Sequence, residues 1–388
     1  MRHSLLVSFI TFGFIWSVSG QALIEFDLEN GSKRTLKVPE YDTLIANGNT
    51  PFHYGLSSFG IAPLSHDNPP GKQFSIKERA NQYFDLHEYP IRTSVKLFRV
   101  ENDSLISNCS GIMISQRHVL TAAHCVSDFN NRLKDSLMQL KAYPVYDEGV
   151  ENTYFQHSEV SKVYLFEDWS LMGGDIAVLE LSKRIGQQSG WVGVGFSHND
   201  SLADRVLHKF SYPAITLPQL DPHEYNGDTL YYSYGVPDIL LEHAIAFTGA
   251  SGIPGESGSS ILRIENHHNY VSHGVLSLSG ALRHARINAP IFHSIEYIIR
   301  NDTSLDATKY QKGFSLYPNP TYGPVYLNGL TNSSGQVLEI FDSQGRKISS
   351  VDTSHPFQAV DLSHLATGLY QLRITTSDGM FQQSVIKL

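Results

Sequence analysis

Short apolar runs separated by turn signals dominate the middle of the chain. From about residue 87 to 300 they include Ser94–Val100, Gly111–Ser115, Ile176–Leu181, Ser259–Ile264 and Gly274–Leu278. Runs of this length bounded by Gly, Pro, Asn and Asp predict an all-β domain. One stretch departs from the pattern. Ile291, Ile295, Ile298 and Ile299 recur at helical intervals, which predicts a helix over Ile291–Arg300 that closes the domain.

The flanks read differently. Residues 21–86 carry scattered Pro, Gly and Asn with few periodic runs, and Asn68-Pro69-Pro70-Gly71 is a strong breaker. This segment is expected to be either a removable propeptide or an N-terminal wrap on the domain that follows. Residues 301–313 are polar and read as a linker. From residue 314 to 388 the alternation of Tyr370, Leu372 and Ile374 with Gln371, Arg373 and Thr375 puts one face in a core and the other in water. With turn signals at Ser343-Gln344-Gly345 and Asp378-Gly379, this part predicts a separate small β-sandwich.

Composition narrows the classes. A charged fraction of 17% with 20 Tyr and 20 Phe argues for a folded chain rather than a disordered one. The formal net charge of −9, without a Lys/Arg cluster, excludes nucleic acid as the expected partner. Residues 1–20 read as a signal peptide: Arg2 and His3 start it, Leu5 to Val18 is mostly apolar, and Val18-Ser19-Gly20 supplies small residues for cleavage. That run is shorter than the ~20 residues a span needs, and no later segment is long and apolar enough. The mature chain is therefore expected to lack a transmembrane segment. Export makes a disulfide between the only cysteines, Cys109 and Cys125, the expected state. Two cysteines without a CxxC spacing do not make a zinc site, and no metal is expected. His267, His268 and His273 read as a polar hairpin tip, and Asp128-Phe129-Asn130-Asn131 as a surface loop without the glycine and glutamate of a calcium site.

Three segments carry chemistry, in the order His, Asp, Ser. In Val119-Leu120-Thr121-Ala122-Ala123-His124-Cys125 the small Ala pair lets the turn bearing His124 pack closely on neighbouring strands. A Cys109–Cys125 bridge closes a loop of about 15 residues, worth ~3 kcal/mol in chain-entropy terms. It also pins the histidine backbone, where an error of ~1 Å costs about 100-fold in rate. In Gly173–Leu181, Asp175 stands at the mouth of an apolar strand, placed to accept an imidazole N–H and hold the reactive tautomer. Asp168 lies nearby but precedes no such strand. In Gly255-Glu256-Ser257-Gly258-Ser259, glycines on both sides of Ser257 permit a sharp turn and close approach of a substrate backbone. A serine hydroxyl becomes a nucleophile when a base takes its proton. The amides of Gly255 and Ser257 are then candidates to face the oxyanion, at roughly 2.7–4 kcal/mol per donor.

Thr121–Cys125, Asp175-Ile176-Ala177 and Gly255–Ser259 resemble the three signatures of the trypsin/chymotrypsin superfamily. Tyr89-Pro90-Ile91-Arg92, and the Gly-x-Ser-Gly-Ser pattern at 255–259, are similar to its bacterial glutamyl-endopeptidase (V8-like) branch. The resemblance covers residues 87–300. It implies a double β-barrel, chymotrypsin-like protease domain with a C-terminal helix, followed by the small β-sandwich. It implies a triad of His124, Asp175 and Ser257, an oxyanion hole at Gly255 and Ser257, and no cofactor. By the same resemblance Ser251 lies near the floor of the primary pocket, and the strand Gly274–Gly280, with Ser277 and Ser279, lines it and pairs with substrate. A serine floor argues against selection of Lys or Arg. Leu276 stands where glutamyl endopeptidases use a histidine, with His273 and His284 as the alternatives nearby. Two departures matter. Ser260 replaces the usual proline. Glu256 replaces an aspartate that, in animal trypsins, pairs with a newly freed N-terminus, yet no Ile-Val-Gly-Gly activation segment occurs. Glu256 is accordingly expected to be solvated or locally hydrogen-bonded.

Phe314-Ser315-Leu316-Tyr317-Pro318-Asn319-Pro320, Ile340–Arg346 and Leu362–Tyr370 resemble, in series, the C-terminal sorting domain of type IX secretion in Bacteroidetes. That resemblance implies the secretion machinery as a partner and a secreted or outer-surface location. The expected function is a serine endopeptidase acting on protein or peptide substrates. A catalytically silent adhesin on the same scaffold is the rival from another class. An α/β-hydrolase lipase is disfavoured by Ser259, where it needs glycine, and by a histidine that precedes the serine.

Overall fold

The computed structural model describes residues 22–39, 52–54, 74, 77–128, 130–133, 139–171, 173–196, 202–215, 225–265, 269–278, 282–302, 315–317, 321, 323–328, 337–352, 359–376 and 379–388. The expected signal peptide, Ser279, His267 and His268 lie outside these residues.

Four short strands precede residue 87: β1 (Ala22–Asp27), β2 (Ser32–Lys37), β3 (Phe52–Tyr54) and β4 (Glu78–Arg79). Six more follow: β5 (Ser94–Glu101), β6 (Ser104–Met113), β7 (His118–Thr121), β8 (Gln139–Pro144), β9 (Ser158–Phe166) and β10 (Ala177–Leu181). They pair antiparallel in the order β10-β7-β6-β5-β8-β9, and β9 returns to β10, so the sheet closes into a six-stranded barrel. Val95, Leu97, Ile112, Leu120, Val163, Leu165 and Val178 are buried within its core. The hairpin β1/β2 extends the same sheet, with Leu23 opposite Phe166 and Ile24 opposite Leu165. Leu23 and Ile24 are buried. Within the upstream segment β1 therefore joins the barrel sheet at β9 and carries β2 with it, a pairing that its scattered composition did not announce.

The second unit holds β11 (Gly193–Phe196), β12 (Leu207–Ser211), β13 (Tyr231–Gly235), β14 (Ile239–Leu240), β15 (Ala244–Ala246), β16 (Ser260–Glu265), β17 (Asn269–Leu278) and β18 (Arg283–Arg286). Its order is β14-β15-β18-β17-β16-β12-β13-β4, and among the described residues the sheet does not close on itself, which makes it a half-barrel. Helix α1 (Ala289–Arg300) ends the domain. It starts two residues before the expected Ile291, because Asn288 caps it, accepting from the Ile291 amide at 3.1 Å, and Pro290 suits the first turn. Ile291, Ile295 and Ile298 are buried, as their spacing requires.

The C-terminal unit is a two-sheet β-sandwich. One sheet pairs β19 (Ser315–Tyr317), β20 (Val325–Asn328) and a short strand, β23, at Ala359–Val360; the other has the order β22-β21-β24-β25, from β21 (Val337–Phe341), β22 (Lys347–Asp352), β24 (Gly368–Thr376) and β25 (Gly379–Lys387). Tyr370, Leu372 and Ile374 join Leu338, Ile340 and Val385 in its core, and the intervening Gln371, Arg373 and Thr375 remain solvent-accessible. Among the described residues no helix is long and apolar enough to cross a membrane.

Candidate active site

His124 lies in a single 3-10 turn, Ala123–Cys125, that follows β7. Ala122 and Ala123 are fully buried, so the turn packs against the barrel with no bulk between. Asp175 stands two residues before the start of β10, which pairs with β7 through Ala177 opposite Thr121. Two adjacent strand ends thus deliver a histidine and an aspartate to one place. Asp175 is fully buried, and both of its oxygens are used: Oδ1 accepts from the His124 amide at 2.9 Å, and Oδ2 meets His124 Nδ1 at 2.7 Å. Ser277 donates its hydroxyl to the same Oδ2. An imidazole held at Nδ1 by a carboxylate keeps Nε2 for proton transfer. Asp168, the weaker candidate, is exposed.

The serine loop is clamped to the same barrel. Ser110 in β6 donates its amide to the Ser257 carbonyl (2.8 Å) and its hydroxyl to the Gly255 carbonyl (2.8 Å), while its Oγ accepts from the Tyr212 amide (2.9 Å). Thr121 Oγ1 donates to the Ser110 carbonyl at 2.8 Å. Gly258, at φ +81°, lies so close that an added Cβ would stand 2.1 Å from Thr121 Oγ1. The loop bearing Ser257 therefore abuts the residues just ahead of His124. Gly255 adopts φ +87° at the third position of an Ile253-Pro254-Gly255-Glu256 turn closed by a Glu256 amide to Ile253 carbonyl bond of 3.1 Å. Proline second and glycine third suit a type II turn. The Pro254 carbonyl accepts from the Ala214 amide, so the Gly255 N–H of that trans peptide points the opposite way.

Cys109 and Cys125 are disulfide-bonded with Cα atoms 6.1 Å apart. Each is a chain neighbour of a site residue, Ser110 on one side and His124 on the other, so one covalent bridge fixes both the serine loop's anchor and the histidine turn. Cys109, His124 and Cys125 bring possible ligand atoms within 4.8 Å of one another. With both sulfurs in the bridge and Nδ1 on Asp175, the cluster has no thiolate for a metal.

The trypsin family matches residues 87–294, more than half of the chain. The chain belongs to the trypsin family. The secretion system C-terminal sorting domain matches residues 315–387, so the trypsin-family domain is followed by a sorting tail that implies export, to the medium or to the cell surface. Serine protease 23 of Rattus norvegicus is 30% identical over 178 residues, 37% of this chain and 44% of that protein. Inactive serine protease 35 of Bos taurus is 49% identical over 51 residues, 13% of this chain and 10% of that protein. The chain spans less than half the length of the curated relatives it matches. A solved structure of a Glu endopeptidase in complex with MPD superposes with a TM-score of 0.45 at 17% identity, over 58% of this chain and 97% of that one.

Several expectations change in the folded trypsin-family domain. Glu256 is fully buried rather than solvated: besides its local bond from the Ile253 amide (2.6 Å), it receives Lys209 Nζ and Ser211 Oγ, each at 3.0 Å. Ser277 is buried and its hydroxyl is committed to Asp175, which leaves it unavailable to a substrate side chain. Ser251 is exposed, and its carbonyl accepts from Lys77 Nζ at 3.3 Å. His273 belongs to β17 and is buried, not part of a hairpin tip. His284 is buried between Phe74 and Phe247, where loss of water holds its pKa well below the usual histidine range. A neutral histidine in an aromatic cluster is a poor partner for an acidic side chain.

Four contributors escaped sequence reading: Ser110, Lys77, Lys209, and Ser277 as the partner of Asp175. Lys209 carried a signal, a charged residue inside Leu207-His208-Lys209-Phe210-Ser211, all five of which are buried. Such a residue demands a counter-charge somewhere.

Proposed function

We propose that this chain is a secreted serine endopeptidase with His124, Asp175 and Ser257 as its triad. The observation that carries the reading is the saturated Asp175, with one oxygen on the His124 amide and the other on His124 Nδ1, beside a serine loop anchored through Ser110. In this reading Ser257 Oγ attacks the carbonyl carbon of the scissile peptide as His124 Nε2 takes its proton. The Gly255 and Ser257 amides stabilise the oxyanion. Collapse of the tetrahedral intermediate breaks the C–N bond, the proton passes from His124 to the leaving amine, and the acyl group stays on Ser257. Water, activated by the same histidine, then releases the acid. Export through an N-terminal signal and the type IX machinery, directed by the sorting domain, places the activity outside the cell.

A fluorophosphonate probe tests the proposal. Wild type is expected to be labelled at Ser257 and to cleave a peptide library, and Ser257→Ala to do neither. A folded wild type that is neither labelled nor hydrolytic would leave the silent-scaffold reading in its place.

A further inference from the structure

Behind the Ser257 loop lies a buried charge cluster that the proposed chemistry does not use. Glu256 is fully buried between Gly255 and Ser257 in the chain. Its Oε1 accepts from Lys209 Nζ and Ser211 Oγ, and its Oε2 accepts from the Ile253 amide, with Lys77 Nζ at 3.7 Å. An ionised carboxylate offers about four acceptor positions. Three hydrogen-bond donors and the Lys77 ammonium, all from within the chain, therefore already surround the carboxylate.

The side chain of Glu256 and its backbone both bond Ile253, the amide to the carbonyl and the carboxylate to the amide. Moving the carboxylate would open the turn that sets Gly255 at φ +87° and with it the direction of the Gly255 and Ser257 amides. Lys77 is contributed from upstream of the family-matched residues 87–294. Its side chain is 4% exposed, and its Nζ also donates to the carbonyls of Phe74 (3.2 Å) and Ser251 (3.3 Å), tying three parts of the chain together. The surrounding residues seal the cluster. Phe74 is buried 4.5 Å from the Phe247 ring, Lys209 Nζ stands 5.2 Å from the Phe74 centroid, and the Ala80 amide bonds the Leu230 carbonyl. Burial lowers the pKa of Lys209, while the charge of Glu256 and its hydrogen bond act in the opposite direction.

We propose that Lys209 and Lys77 are positioning residues that hold Glu256 as a built-in counter-ion, so the Gly255–Ser257 loop is assembled while residues 74–86 remain attached. This inference rests on the endopeptidase reading. It makes the stretch from Phe74 onward a working part of the enzyme rather than a segment to be removed.

The test uses residues 21–388 and a fluorophosphonate probe, with mass spectrometry of the labelled species. Labelled molecules are expected to retain Lys77. Labelling only of molecules cut between Lys77 and His124 would overturn the proposal. Lys209→Met is expected to lower kcat and the labelling rate at least about tenfold, and Lys77→Met about threefold, with KM changed less than about threefold, well below each variant's Tm. A purely structural role would lower Tm and leave kcat per folded molecule unchanged. Folded variants within about twofold of wild-type kcat overturn the proposal. Should either variant fail to fold, the N-terminus of the labelled wild type decides alone. A wild type unlabelled in every form would reject the endopeptidase reading itself, whereas an active wild type with indifferent lysine variants rejects only this inference.

Discussion

Ser277 donates its hydroxyl to Asp175 Oδ2, the same oxygen that meets His124 Nδ1 at 2.7 Å. With the His124 amide on Oδ1 at 2.9 Å, the carboxylate is fixed from three directions and the imidazole with it. Ser277→Ala is expected to lower kcat/KM about three- to tenfold, because one of three restraints is lost. Asp175→Asn is expected to lower kcat by ~10⁴, because the amide presents a donor to Nδ1 and selects the wrong tautomer. Steady-state kinetics of the two variants checks this ranking; equal losses would contradict it.

Gly258 is the tightest joint between the serine loop and the barrel. A methyl there would stand 2.1 Å from Thr121 Oγ1 and 2.4 Å from the Ser110 carbonyl, on a backbone at φ +81°. Gly258→Ala should therefore reduce activity by more than about 100-fold and lower Tm. Gly31→Ala, at φ +70° but with open space around it, should cost only ~1 kcal/mol and no activity. Thermal melts and kcat measured side by side distinguish a local clash from a general sensitivity of left-handed glycines.

Removal of the bridge should be felt twice. The Cys109→Ser/Cys125→Ser double variant is expected to lose about 3 kcal/mol in urea denaturation, the loop-closure value for a loop of this length. Its kcat should also fall in the fraction that stays folded, since the bridge joins the neighbours of Ser110 and His124.

Lys96 gives the fold a pH dependence of definite sign. Burial lowers its pKa from 10.5 to about 7, and its ammonium lies over the Phe98 and Tyr212 rings at 5.3 and 5.5 Å. Between about pH 7 and 10.5 the unfolded chain binds a proton that the folded chain does not. The contribution of Lys96 to stability therefore rises with pH across that window, at up to ~1.4 kcal/mol per unit, and below it the full burial penalty applies. Denaturant midpoints of wild type should gain on Lys96→Met as pH rises from 7 to 10. A flat difference would contradict the assignment.

Local pattern carried much of the architecture. Ser94–Val100, Ile176–Leu181 and Ser259–Ile264 fall on β5, β10 and β16 to within one or two residues, because each is a short apolar run bounded by breakers. The helix over Ala289–Arg300 follows from isoleucines at helical intervals and an asparagine cap. In the sorting tail, strict alternation placed Tyr370, Leu372 and Ile374 in the core. The segment before residue 87 was opaque by comparison. Leu23 and Ile24 are buried only because β9 lies beside them, a partner more than a hundred residues away.

The strand-rich class, the closing helix, the sandwich tail and the three segments bearing His124, Asp175 and Ser257 are legible in the order of residues alone. Each of these leaves a local mark in the chain, an apolar period, a breaker or a short motif, that can be read without knowing what packs against it. Which residues meet across long separations is set by the folded chain. It brought Ser277 to Asp175, Ser110 to the Ser257 loop, and Lys209 with Lys77 to Glu256. A buried charge must find a counter-charge, but chain folding, not spacing, chooses which one.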